Sequence, residues 1–190
     1  MADTIRSFIA IELPATVIDE ICQVQARLQS HKFKVRWVRP ENMHLTLKFL
    51  GDIPKAEIET VARALIESAE EFTPITVHAK GIGTFPSIKR PRVIWVGVAG
   101  QLDELRRLQK TLDHKLAAAG FPKEKRAFKG HLTLGRVKNR IDPKRLLNAI
   151  QEFSGFESDP FVVDKVVVFK SELKPTGAVY SKLAEISLVH

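Results

Sequence analysis

The string His-Leu-Thr-Leu occurs twice in this chain, at residues 44–47 and again at 131–134. The histidines are 87 residues apart, and "VIDEI" at 17–21 is echoed by "QLDEL" at 101–105, an offset of 84. An offset that holds over more than one element marks a duplicated unit. The chain is therefore expected to fold as two similar halves, about 1–86 and 87–190, whose equivalent elements surround an approximate two-fold axis.

Hydrophobic periodicity gives each half a similar order of elements. In the first, "SFIAIEL" (7–13) reads as a strand and is followed by a helix carrying Val17, Ile21, Val24 and Leu28 on one face. "KVRWV" (34–38) and "HLTLKFL" (44–50) read as strands, and a helix presents Ile58, Val61, Leu65 and Ala69. "PITVHAKGI" (74–82) closes the half as a strand, with the glycines of "KGIG" read as a turn. In the second half, strand "RVIWVGV" (92–98) precedes a helix with Leu105, Leu112 and Leu116 on one face, and then comes strand "HLTLGRV" (131–137). A short helix with Leu146, Leu147 and Ile150 leads to "PFVVDKVVVFK" (160–170) and "AVYSKLAEISL" (178–188), each read as one strand.

With 190 residues and 44% hydrophobic composition, the chain can bury one sizeable core. No run approaches the roughly 18 apolar residues of a membrane span, and the N-terminal "MADTIRSFIAIELP" lacks a signal-like apolar region. A cytoplasmic protein with no membrane association is expected. Cys22 is the only cysteine, so no internal disulfide can form and no cysteine-rich metal site exists. The net charge of +8 favours an anionic partner, and residues 123–145 hold nine basic side chains against two acidic ones. Such a cluster serves either as a solvated face or as a site for a phosphate-rich ligand.

In a strand, His44 and Thr46 share one face while Leu45 and Leu47 point to the other, and His131 and Thr133 stand likewise against Leu132 and Leu134. The leucines anchor the strand and the polar pair is presented rigidly. A histidine beside a threonine is an ordinary structural pair when it occurs once. Two copies at equivalent places point to chemistry, because an unpartnered buried polar group costs about 1–3 kcal/mol. Two imidazoles can divide the base and acid roles near neutral pH, and threonine hydroxyls can donate to the oxygens of a tetrahedral anion. A phosphodiester suits that set, and neither a G-x-S-x-G nor a Walker-type loop is present.

Paired His-x-Thr strands in a duplicated α+β chain of this length resemble the 2H phosphoesterase superfamily, and within it the RNA 2′,3′-cyclic phosphodiesterases once called 2′-5′ RNA ligases. "FIAIELP", "ENMHLTLKFLG", "GIGTFP" with "PRVIWVGV", "HLTLGRV" and "SELKPTGAVYSKL" carry the resemblance along nearly the whole chain. It implies a single bilobal α+β domain over 1–190, with two antiparallel sheets, outer helices, a central groove and an exchange of terminal strands open to the two lobes. The implied reaction is metal-independent and cofactor-free opening of a terminal 2′,3′-cyclic phosphate on RNA, tRNA fragments being one such substrate. His131 would be the base and His44 the acid, with Thr46 and Thr133 on the phosphate oxygens. Arg136 resembles a phosphate-binding position, and Phe8 matches an aromatic that could stack on the terminal base, the other reading being a core side chain at the start of an apolar strand. A monomer suffices, since one chain supplies both halves. Three other readings stay open: 2′-5′ ligation in the same groove, a non-catalytic basic RNA-binding module, and metal-assisted hydrolysis with histidine ligands. Against the last, neither motif holds an Asp or Glu at ligand spacing.

Overall fold

The computed structural model describes residues 3–175 and 177–188. In chain order they form β1 (Thr4–Glu12), α1 (Ala15–Ser30), β2 (Val35–Trp37), β3 (His44–Pro54), α2 (Ile58–Ala69), β4 (Ile75–Phe85) and β5 (Val93–Gly100). There follow α3 (Leu102–Ala118), β6 (His131–Val137), α4 (Pro143–Gln151), β7 (Phe161–Val163), β8 (Lys165–Lys174) and β9 (Gly177–Ser187).

The strands form one antiparallel sheet in the order β7-β4-β5-β6-β3-β1-β8-β9, with β2 added beside β6. Two groups are visible in that order. Strands β1 and β3 from the first half lie with β8 and β9 from the second, while β4 from the first half lies with β5, β6 and β7. The groups join between β3 and β6, where Leu45 pairs with Leu132. The motif strands are thus neighbours in the sheet.

Strand alternation sorts the core. Ile9, Ile11, Leu45, Leu47, Leu132 and Leu134 face the helices, where Val17, Ile21 and Leu28 of α1, Leu65 of α2, and Leu105, Leu108 and Leu112 of α3 meet them in one continuous cluster. All four motif leucines are at most 3% exposed. Each contributes about 1.5–3 kcal/mol by its burial, which pins both strands in register. The alternate residues of β1 and β8 build a smaller cluster of Phe8, Ala10, Val167 and Phe169, covered by Tyr180.

Two expectations for the strands change. The apolar run 160–170 divides at Asp164, so that β7 pairs with β4 and β8 with β1. A continuous run carries no signal that its two ends serve different groups of strands. Residues 80–83, expected as a turn, lie inside β4, where the register shifts between Lys80 and Ile82 and Gly81 has φ 66°. Glycine there supports a bulge, which a turn-like string also permits.

Candidate active site

Leu45 and Leu132 are the same position of the two copies, so the pair between them places the approximate two-fold axis at this bridge. One residue to either side, antiparallel register sets His44 opposite Thr133 and Thr46 opposite His131. All four lie on the face away from the buried leucines, and all four are partly exposed. The two histidines form the diagonal of this square, a separation of about 7–8 Å between backbone positions in a regular ladder.

Both strands then leave regular register at the same motif position. The β1–β3 ladder passes from Ala10–Thr46 to Ile9–Lys48, and the β5–β6 ladder from Trp95–Thr133 to Ile94–Gly135, so Leu47 and Leu134 are the extra residues. Each extra carbonyl is taken by a buried glutamine from the other half. Gln25 on α1 donates to Leu134 O at 3.0 Å and to Val38 O at 2.8 Å, while Gln109 on α3 donates to Leu47 O at 3.4 Å. The bulge also turns Lys48 toward the helices, where it is 6% exposed and paired with Asp113. Lys48 Nζ donates to Pro122 O at 2.7 Å, and Asp113 accepts from the Glu124 amide at 3.1 Å. The pair therefore ties β3 to the loop that delivers His131.

Each histidine stands in an aromatic enclosure. His44 stacks on Phe8 with centroids 4.8 Å apart and an interplanar angle of 29°, and Tyr180 meets it edge-on at 5.3 Å. Burial pushes the His44 pKa down from 6.5 to about 4, opposed in part by a hydrogen bond to the Asn42 backbone. His131 takes the edge of Phe85 at 4.9 Å, and its Nδ1 lies 2.7 Å from Lys129 O. Donation from Nδ1–H to that carbonyl leaves Nε2 of the neutral ring with a free lone pair. Both imidazoles thus bond to the backbone two residues upstream, another copied feature. Trp95 flanks His131 at 6.4 Å and lies flat on Gly83, where a Cβ would fall 2.3 Å from its ring.

The remaining expected residues separate. Arg136 is exposed and pairs in register with Arg36 on β2. Phe8 takes the core reading and not the base-stacking one: it is 3% exposed, with His44 and Phe169 stacked on it and Tyr180 at its edge. No face is left for a base, and its place is under the imidazole. Phe49, in register with Phe8 and 67% exposed, is the accessible aromatic on this part of the sheet. Sequence reasoning passed over Tyr180, whose hydroxyl burial keeps protonated against the pull of Arg136, Arg6 and Arg36. Phe85 and Trp95, beside His131, are further aromatics of the site. Tyr180 comes to the site through the register of the β8–β9 hairpin, where it pairs with Ser171. Among the described residues no three His, Cys, Asp or Glu side chains converge as a metal ligand set, and no helix is long and apolar enough to cross a membrane.

The chain is 35% identical to the RNA 2′,3′-cyclic phosphodiesterase of Thermotoga maritima over 95% of its own length and 94% of that protein. It is 32% identical to the protein of that name from Methanothermobacter thermautotrophicus, covering 94% and 96% of the two chains. Its fold matches the crystal structure of a Thermus thermophilus protein with a TM-score of 0.78 at 27% identity, over 96% and 97% of the chains. LigT of E. coli complexed with 3′-AMP matches with a TM-score of 0.74 at 25% identity, over 99% and 100%. The LigT like Phosphoesterase family matches residues 11–95 and again 96–180, one motif strand falling in each span. With both His-x-Thr strands joined across a pseudo-two-fold bridge and both spans matched, the chain belongs to the LigT-like phosphoesterases, the 2H family.

Proposed function

We propose that this protein opens the 2′,3′-cyclic phosphate at the end of an RNA, leaving a 2′-phosphomonoester. The observation that carries the reading is the Leu45–Leu132 bridge, which brings two histidines and two threonines 87 residues apart onto one face of one sheet. The relatives named RNA 2′,3′-cyclic phosphodiesterase and the LigT complex with 3′-AMP support the same substrate chemistry.

The reaction balances with water alone. His131 Nε2 accepts a proton as water attacks phosphorus, the bond from phosphorus to O3′ breaks, and His44 supplies a proton to O3′. Thr46 and Thr133 donate to the non-bridging oxygens, and Arg136 adds charge at the edge of the site. His44 is neutral in the free protein at pH 7, since burial holds its pKa near 4. A bound phosphodiester anion favours the imidazolium, so substrate binding itself charges the acid. Phe8 and Tyr180 hold the ring while this happens. RNA fragments, tRNA pieces among them, are the substrate class, and one chain holds the complete site, so a monomer is sufficient.

The test is incubation with cyclic-phosphate-ended RNA in EDTA, followed by identification of the oxygen that keeps the phosphate. A 2′-phosphate is expected, and His44→Ala and His131→Ala should each lower kcat by about 10²–10⁴-fold. Turnover near the wild-type rate in either variant would reject the assignment.

A further inference from the structure

The basic segment 123–145 is not one surface. Strand β6 separates it into a cluster before His131 and a second one beyond Val137, and the second meets the loop between β4 and β5. There Lys89, Arg90, Arg92, Lys138 and Arg140 line a concavity of about 480 Å³ floored by Val137 and Ile141. All five cations are exposed. Among the described residues none of the five forms an ion pair, although carboxylates pair with cations at many other places on the surface. Five positive charges without an ion-pair partner around one hollow raise the local potential, and a polyanion bound there is attracted by all of them at once.

The hollow is tied to the candidate site through β4 and β6, the strands that lead from one to the other. Phe85, whose ring edges His131, ends β4 and opens the loop that carries Lys89, Arg90 and Arg92. Val137 lies six residues beyond His131 on β6, about 20 Å at the usual rise of ~3.3 Å per residue. Arg136, between them, is exposed and in register with Arg36.

We infer that this concavity binds backbone phosphates of the RNA strand several nucleotides upstream of its terminal cyclic phosphate. The site at the histidines reads the end group, and the hollow reads the length of the chain. The inference rests on the phosphodiesterase reading for what occupies the histidines, but binding at the hollow can be measured without turnover.

The experiment compares wild type with a Lys138→Ala/Arg140→Ala double variant on two substrates. One is cytidine 2′,3′-cyclic phosphate, which cannot reach the hollow; the other is a single-stranded RNA long enough to span both sites and ended in the same group. For the small substrate kcat and KM stay at wild-type values. For the RNA, kcat is unchanged and KM rises by about an order of magnitude, as two charge-assisted contacts are lost. The slope of log affinity against log salt falls by about 1.4, at ~0.7 for each phosphate contact on a single strand. An equal rise in KM for both substrates, or none for the RNA, overturns the inference. Should wild type turn over neither substrate, the phosphodiesterase reading fails by itself. Fluorescence anisotropy of the same RNA with a plain 3′-hydroxyl then decides: unchanged affinity and salt slope in the double variant would overturn the hollow as an RNA site.

Discussion

The depressed His44 pKa makes folding stability depend on pH in a defined window. The unfolded chain protonates this imidazole near pH 6.5, while the folded protein holds out to about 4. Above pH 6.5 both states carry it neutral and it contributes nothing to the pH dependence. As pH falls from 6.5 to 4, the unfolded state gains a proton that the folded state refuses, so stability is lost across that interval and levels off below it. At ~1.4 kcal/mol per pH unit the full loss is about 3 kcal/mol. The perturbation is His44→Phe, which keeps a ring among Phe8, Phe169 and Tyr180 but cannot titrate. Urea unfolding of both proteins between pH 7.5 and 4, read by tryptophan fluorescence, gives two curves that share every other titrating group. Their difference isolates His44: wild type should lose about 3 kcal/mol relative to the variant, all of it below pH 6.5. Parallel curves would show that the imidazole is solvated in the native state, and the neutral-until-bound account of the acid would fall with it.

Three further outcomes are expected. Because anion binding raises the His44 pKa, the limb of the pH profile that His44→Ala removes should lie near 4 in kcat/KM and at higher pH in kcat; coincident limbs would contradict this. Lys48→Met leaves Asp113 buried without its cation and should destabilise by about 3–5 kcal/mol, whereas Lys48→Met/Asp113→Leu should recover most of that in denaturant unfolding while kcat stays low, because the loop to His131 has lost its tie. Gln25→Leu and Gln109→Leu should each cost about 1–3 kcal/mol and lower kcat more than they raise KM, and a variant with wild-type kcat would limit that glutamine to a stability role.

What could be read without coordinates followed from local alternation and from repetition. Leu45, Leu47, Leu132 and Leu134 are buried as the period of two required, and His44, Thr46, His131 and Thr133 share the other face. The bridge between the copies was not legible, since nothing local to either strand says that its neighbour lies 87 residues away. Nor were the bulges at Leu47 and Leu134, because an extra leucine in an apolar run leaves no compositional trace. Apolar-strand position left Phe8 open between core and base stacking, and what decides for the core, the closing of Phe169 and Tyr180 over it, depends on β8 and β9, which arrive from the far end of the chain. The apolar run at 160–170 hid a change of partner at Asp164 for the same reason, since strand propensity is blind to pairing.

The crossed glutamines have a consequence for how such a chain can be divided. Gln25 guards the strand of His131, and Gln109 guards the strand of His44. Cut between its repeats, either piece would keep an imidazole but surrender the clamp that aims it, and would present a naked strand edge where Leu45 and Leu132 now meet. Two such pieces could satisfy each other only by docking as a symmetric pair. The molecule is, in geometry, a dimer of half-enzymes sealed into a single polypeptide, and the linkage fixes the local concentration of each histidine at its counterpart.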